Sequence, residues 1–336
     1  MKRIFSFHSE QWATAAPLRI TGRIFEAFDC AVVELAEDGK TGRGEALGIY
    51  YTGDQPTVVL SQLESAREAI EAGVGREALS SLLPPGGARH AIDAALWDLE
   101  AKLSGRSAWD IAGLAAEPVE TVHTIGLEEE PEAMGEKAAR TSHPLLKVKL
   151  DDELPVEKIE AIRRRRPDAR LLVDANQGWS FEQLKEVATP LQKLGVLFIE
   201  QPLRRGKDEM LEGYRAPLPL CADESCLHLG ELEQVSRRYQ MINIKLDKCG
   251  GLTAGLALAE AARTKNLGVM VGCMGGTSLS MAPAHVLAQI CDFVDIDGPM
   301  LLKNDRLGGF DYRSGRVAVG PEFCWGKAGA TLRERP

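Results

Sequence analysis

Residues 145–150 read LLKVKL, a short apolar run that holds Lys147 and Lys149 with one residue between them. Like charges placed side by side in a stretch that favours burial are costly, because desolvation penalises each charge and the two repel. An extended strand offers a way out. Residues two apart share a face, so both lysines would point to one side while Leu146 and Val148 point to the other. In a closed parallel barrel one such face is the mouth, and chemistry gathers at the C-terminal strand ends.

Working outward, seven further runs have the same look: TVHTIGL (121–127), RLLVDAN (170–176), VLFIEQP (196–202), LPLCADES (218–225), MINIKLDK (241–248), LGVMVGCM (267–274) and DFVDIDGP (292–299). Segments of helical character lie between them, among them PVEKIEAIRRRRP, SFEQLKEVATPLQKLG, HLGELEQVSRRY and TAGLALAEAARTKN. Eight strand candidates alternating with helices at a spacing of roughly 24 residues predict an α/β chain with a (β/α)8, TIM-like barrel. An open doubly wound sheet is the alternative. The even repeat, and the lack of G-x-G-x-x-G after an early strand, count against it.

Before the repeat, CAVVELA (30–36), EDGKTG and RGEALG read as a hairpin, followed by two stretches of helical spacing that end at glycines. The expected organisation is an α+β capping domain over residues 1–118, a barrel over 119–305, and a segment 306–336 that returns to the cap. The 336 residues are 26% charged and 44% hydrophobic, as in folded soluble proteins. No apolar run reaches the ~18 residues of a membrane span, and the N-terminus lacks a signal-peptide pattern. A net charge of −9 argues against nucleic acid or an anionic membrane as partner. Seven cysteines without a C-x-x-C pair suit a reducing cytosol, so a cytoplasmic protein is expected.

Charged residues close the strand runs: Lys149, Asp174, Glu200, Asp223, Lys245 and Asp295 end runs two, three, four, five, six and eight. From Lys149 to Lys245 they recur every 22 to 26 residues, a phase that unrelated surface charges would not keep. The acidic trio Asp174, Glu200 and Asp223 would meet at neighbouring strand tips. Carboxylates so placed repel unless a cation neutralises them, and an all-oxygen set suits Mg2+ or Mn2+. Helix N-capping is the plainer explanation for any one Asp, but not for three in succession. Lys149 and Lys245 stand four strands apart in an eight-stranded ring and should face each other across the mouth, with Asp247 repeating the spacing on strand six. A metal that acidifies a carbon beside a carboxylate, with a lysine on each side, points to proton abstraction and return. A lysine base needs a pKa lowered toward neutrality, which the cation and the charge of Lys147 would favour.

Together with ARHAIDAALWDLEAKLSG in the cap, the segments KVK, VDANQGW, IEQP, ADES and NIKLDKCGGL resemble the enolase superfamily, in its muconate-lactonizing-enzyme-like subgroup. The resemblance covers almost the whole chain. It implies Lys149 and Lys245 as acid/base lysines assisted by Lys147, and Asp174, Glu200 and Asp223 as ligands of one Mg2+. In the subgroup's dipeptide epimerases, a D-x-D on strand eight holds the substrate's α-ammonium, and here that pair is Asp295 and Asp297. VGCMGGTS is similar to their strand-seven loop, which brings in Cys273 and Gly275, and Thr124 matches a substrate-contacting position. The implied activity is inversion of the C-terminal residue of a dipeptide, of the L-Ala-D/L-Glu type, tied to recycling of cell-wall peptides. Cycloisomerase, o-succinylbenzoate synthase and N-succinylamino acid racemase are the alternatives within the superfamily, and since relatives are often octamers or dimers the resemblance implies a homo-oligomer.

Residues 16–28 should form a mobile loop over the mouth, with 47–56 as a second one. Ala-Glu epimerases carry Arg-Gly-Ser in the first. This chain has Thr21-Gly22-Arg23, which leaves Arg23, Arg19 or neither to meet a glutamate side chain. Schiff-base chemistry at Lys149 and a non-catalytic binding barrel are weaker competitors.

Overall fold

The computed structural model describes residues 3–328, so two residues of the 1–118 segment and eight of the 306–336 segment lie outside the described residues. A three-stranded antiparallel sheet opens the chain, with β1 (Ile4–Ile20) pairing β2 (Arg23–Glu37) and β2 pairing β3 (Lys40–Ala46). The helices Pro56–Glu71 and Gly87–Ser104 cover one face of it, burying Val33, Leu35, Val59, Leu63, Ile70, Ile92 and Leu99 in a core of their own. Gly44 makes that packing close, since a Cβ there would stand 2.1 Å from the Ala91 carbonyl oxygen.

The 16–28 segment is a correction to the expected loop. It is the tip of the long β1–β2 hairpin, in which Ile20 pairs Arg23 and Gly22 turns the chain with φ +72°. Alternating Leu18, Ile20, Phe25 and Ala27 favour pleated strand here, and glycine supplies the left-handed turn residue. The Thr21 hydroxyl donates to the carbonyls of Leu150 (3.1 Å) and Ala175 (3.2 Å), which seats the tip on the barrel.

After β4 (Val119–Glu120) come eight parallel strands in chain order: β5 (His123–Ile125), β6 (Leu145–Lys149), β7 (Arg170–Asp174), β8 (Val196–Glu200), β9 (Leu220–Ala222), β10 (Met241–Lys245), β11 (Gly268–Gly272) and β12 (Phe293–Val294). All eight predicted runs are strands. The Val122 N–H donates to Val294 O at 3.0 Å, so the first strand meets the last and the open-sheet alternative is excluded.

The period of two divides each strand. Leu146, Val148, Leu171, Val173, Ile199, Ile242, Ile244, Val269 and Val271 face outward into the shared core with the helices. Leu145, Leu172, Phe198, Cys221, Met241 and Met270 face inward and plug the ring. One step further along the same inward faces stand Lys147 and Asn243, and at the rim come Lys149, Asp174, Glu200 and Lys245. Filling the lower ring with apolar side chains leaves the polar layer only one outlet, the mouth.

Beyond the barrel, β13 (Asp311–Arg313) and β14 (Arg316–Ala318) form a small antiparallel sheet with β4. Trp325 then donates to the carbonyls of Arg43 and Ala94 in the cap. Buried Glu45 also ties cap to barrel, accepting from the Thr277 N–H (2.8 Å), its hydroxyl and Arg306. Among the described residues no helix is long and apolar enough to cross a membrane.

Candidate active site at the barrel mouth

Lys149, Asp174, Glu200 and Lys245 are the last residues of β6, β7, β8 and β10; Asp223 follows β9 by one residue, and Asp295 follows β12 by one. Oxygens of Asp174, Glu200 and Asp223 come within 4.8 Å of one another, and all three residues are fully buried. Four lysines balance them. Lys149 Nζ lies 2.6 Å from Asp174 Oδ2, Lys245 Nζ 2.8 Å from Asp223 Oδ2, and Lys248 Nζ 2.6 Å from Asp223 Oδ1. Lys147 Nζ reaches Glu200 (2.8 Å), Asp174 (3.1 Å) and Asp295 (2.7 Å) at once.

These contacts set the charge state of Lys147. Burial acts to lower its pKa, but the charges of Asp295, Glu200 and Asp174 outweigh burial and hold it well above the ordinary lysine value. Lys245 is likewise raised, burial and the charge of Lys147 being overcome by Asp223. The carboxylates answer in kind. Burial opposes ionisation of Asp174, yet Lys149 and Lys147 bring its pKa down to about 2, and Lys245 and Lys248 do the same more strongly for Asp223. Glu200 is pushed the other way by burial and by the charge of Asp174.

Two oxygens of the trio stand out. Glu200 Oε2 and Asp223 Oδ2 are buried and accept no well-aligned hydrogen bond, although a lysine ammonium lies 2.8 Å from each. Poorly satisfied carboxylate oxygens, converging and free of sulfur or imidazole, are a donor set for a hard divalent cation. The residues present therefore fit Mg2+.

A cavity opens onto this cluster. Thr124, Lys147, Lys149, Lys245, Cys273, Gly275, Asp295 and Asp297 line its barrel side, and Leu18, Ile20, Phe25, Phe28 and Tyr50 its cap side. Asp297 Oδ2 accepts the Thr124 N–H at 2.7 Å across the closure of the ring. Burial and the charge of Asp295 push the Asp297 carboxyl up to about 7. Gly275 has φ +101°, and a Cβ there would stand 2.7 Å from the Phe28 ring, so this glycine lets the loop lie against the cap.

Arg23 does not line the cavity. Its guanidinium lies over the rings of Phe25 (4.8 Å) and Tyr50 (4.5 Å), which do. Arg19 is exposed and pairs with Glu129 at 3.3 Å. Asp247 is also turned away from the mouth, because the chain coils into a helical turn (Leu246–Cys249) directly after Lys245 and the period of two ends there. It accepts instead from the N–H groups of Leu47 (2.8 Å) and Gly48 (2.9 Å), anchoring the 47–56 loop that carries Tyr50.

Sequence reasoning missed Asn243, Lys248, Asn176 and Glu224. Asn243 Nδ2 donates to Glu200 Oε1 at 2.8 Å, and its position two residues before Lys245 on an inward face was a usable signal. Lys248 had none, since it lies within the helical turn. All seven cysteines are free.

The sequence and the fold both have relatives. The family model described as enolase C-terminal domain-like matches residues 132–322. An N-acetyl-D-glutamate racemase from Pseudoalteromonas sp. is 43% identical over 74% of this chain and 79% of its own length. The L-Ala-D/L-Glu epimerase of Escherichia coli is 39% identical over 94% of this chain and 99% of its own. Among solved structures, an enolase family member from Agrobacterium tumefaciens with homology to dipeptide epimerases, holding sodium and L-Ala-L-Glu, superposes with a TM-score of 0.92 at 38% identity; the match covers 96% of this chain and 100% of that one. The chain belongs to the enolase superfamily, in the group that contains its dipeptide epimerases, and is an isomerase.

Proposed function

We propose that the chain is a Mg2+-dependent dipeptide epimerase that inverts the α-carbon of the C-terminal residue of a dipeptide, of the L-Ala-D/L-Glu type. The observation that carries this reading is the meeting, in one cavity, of Lys149 and Lys245 on different carboxylates of a buried trio, with Asp295 and Asp297 in the same wall. Asp174, Glu200 and Asp223 would hold the ion, Mn2+ serving as well. Bound there, the ion supplies positive charge that offsets the carboxylates' pull on the lysines and the charge that gathers on the substrate carboxylate as the α-proton leaves.

Lys149 and Lys245 are the groups that take the α-proton from one face and return it to the other. Lys147, fixed by Glu200, Asp174 and Asp295, positions the substrate carboxylate through its charge. Asp295 and Asp297 hold the α-ammonium, with Thr124, Cys273 and Gly275 shaping the space around the dipeptide. On this reading the enzyme works in the cytoplasm on peptides released from the cell wall, as a homo-oligomer, with residues 1–118 and 306–336 capping a 119–305 barrel.

A second reading is racemisation of an N-acyl amino acid, which has no ammonium. One contact favours it: Asp295 is already paired with Lys147 at 2.7 Å. Asp297→Asn separates the two. Ionised Asp297 is the form that attracts an ammonium, so KM for the dipeptide should fall as pH rises through about 7. The variant should lose that dependence and raise KM at least about 30-fold, since removing one partner of a buried charge pair costs about 2 kcal/mol or more. Wild-type turnover of N-acetyl-glutamate above that of every dipeptide, unaffected by Asp297→Asn, would favour the second reading instead.

A further inference from the structure

Next to the carboxylate trio lies a second set of buried polar atoms outside the ion pairs, on Glu224 and on Asn176, the latter at the edge of the cavity. Glu224 is 2% exposed. Its Oε1 receives only a long hydrogen bond from Asn176 Nδ2, at 3.4 Å, and its Oε2 accepts nothing from any protein group. Asn176 Oδ1 is buried without a partner as well. Leaving such atoms unmatched is unfavourable, because burial strips them of water without a replacement partner, so their retention calls for a ligand.

The backbone takes trouble to place them. Asn176 sits in the left-handed region with φ +42°, and its N–H donates to Asp174 Oδ1 at 2.9 Å, so its amide is locked to a member of the trio. Glu224 follows Asp223 directly, in a turn pinned by Gln201, whose Oε1 accepts the N–H groups of Asp223 and Ser225 at 2.9 Å each. Both residues are therefore tied through the backbone to the trio, and their side chains meet each other through Asn176 Nδ2 and Glu224 Oε1.

Mg2+ loses its hydration reluctantly and keeps several waters in protein sites. Each retained water presents hydrogens outward and needs acceptors. We propose that Glu224 and Asn176 form an outer acceptor pair that receives the hydrogens of water on the cation held by Asp174, Glu200 and Asp223, and so are positioning residues for a hydrated ion. The inference rests on the reading of the trio as a cation site.

Two variants remove the acceptors while sparing the fold. Glu224→Gln keeps the shape but replaces one carboxylate oxygen with a donor, and Asn176→Gly removes the amide while tolerating the positive φ. Mg2+ titration calorimetry on the metal-free protein should show affinity lowered about 10- to 100-fold in each, the usual loss when an outer-shell partner is removed. Thermal unfolding of the metal-free variants should stay near wild type. Water-proton relaxation of the Mn2+ complexes should change with them, a readout that a merely structural residue would not move. Wild-type Mg2+ affinity and relaxation in both variants would overturn the proposal. Asp223→Asn serves as the control: if wild type binds no Mg2+, or binds it no better than Asp223→Asn, the trio's role fails rather than that of the outer pair.

Discussion

Lys149→Ala is expected to lower turnover by about 10²- to 10⁴-fold, the contribution of a positioned proton-transfer group, and to divide the two epimers of the substrate. Lys149 and Lys245 are tied to different carboxylates, Asp174 and Asp223. On the proposed mechanism each serves one face of the α-carbon. With Lys149 gone, the epimer whose α-hydrogen faces Lys245 should still take up deuterium from D₂O without inverting, whereas the other should neither exchange nor invert. Lys245→Ala should reverse the assignment. Proton NMR on each epimer separately reads this pattern. Equal loss of exchange for both epimers in both variants would mean that the lysines do not act on opposite faces.

Removing the divalent ion is expected to have a comparable effect. Stabilising charge as it develops on the substrate accounts for several kcal/mol of barrier, which at about 1.4 kcal/mol per decade means a loss of at least about 10³-fold. Activity should return on adding Mg2+. The fold should survive, because Lys147, Lys149, Lys245 and Lys248 already balance the trio. Dialysis against a chelator, followed by activity and circular dichroism, checks both parts. Full turnover in the chelated protein would remove the ion from the mechanism, and global unfolding would show that the lysines do not suffice.

Much of this site was legible in the chain because two simple periods coincide. Alternation within a strand sends Lys147 and Lys149 to one face, and the βα repeat brings Asp174, Glu200, Asp223 and Lys245 to adjacent rim positions. Legibility ends where either period breaks. Asp247 and Lys248 follow a strand that gives way at once to a helical turn, so residue spacing no longer reports direction. Contacts between distant segments are equally silent: Glu45 meets Thr277 across 232 residues. The 16–28 segment does cover the mouth, as expected, but its alternating apolar residues make it the tip of a hairpin and not a loop.

Epimerisation by proton exchange at the C-terminal α-carbon is tested most directly by incubating a broad dipeptide library, L-Ala-L-Glu included, with the protein and Mg2+ in D₂O. Mass and proton NMR spectra should show one deuterium at the C-terminal α-carbon of at least one dipeptide, together with its epimer. No incorporation into any dipeptide of the library would contradict it.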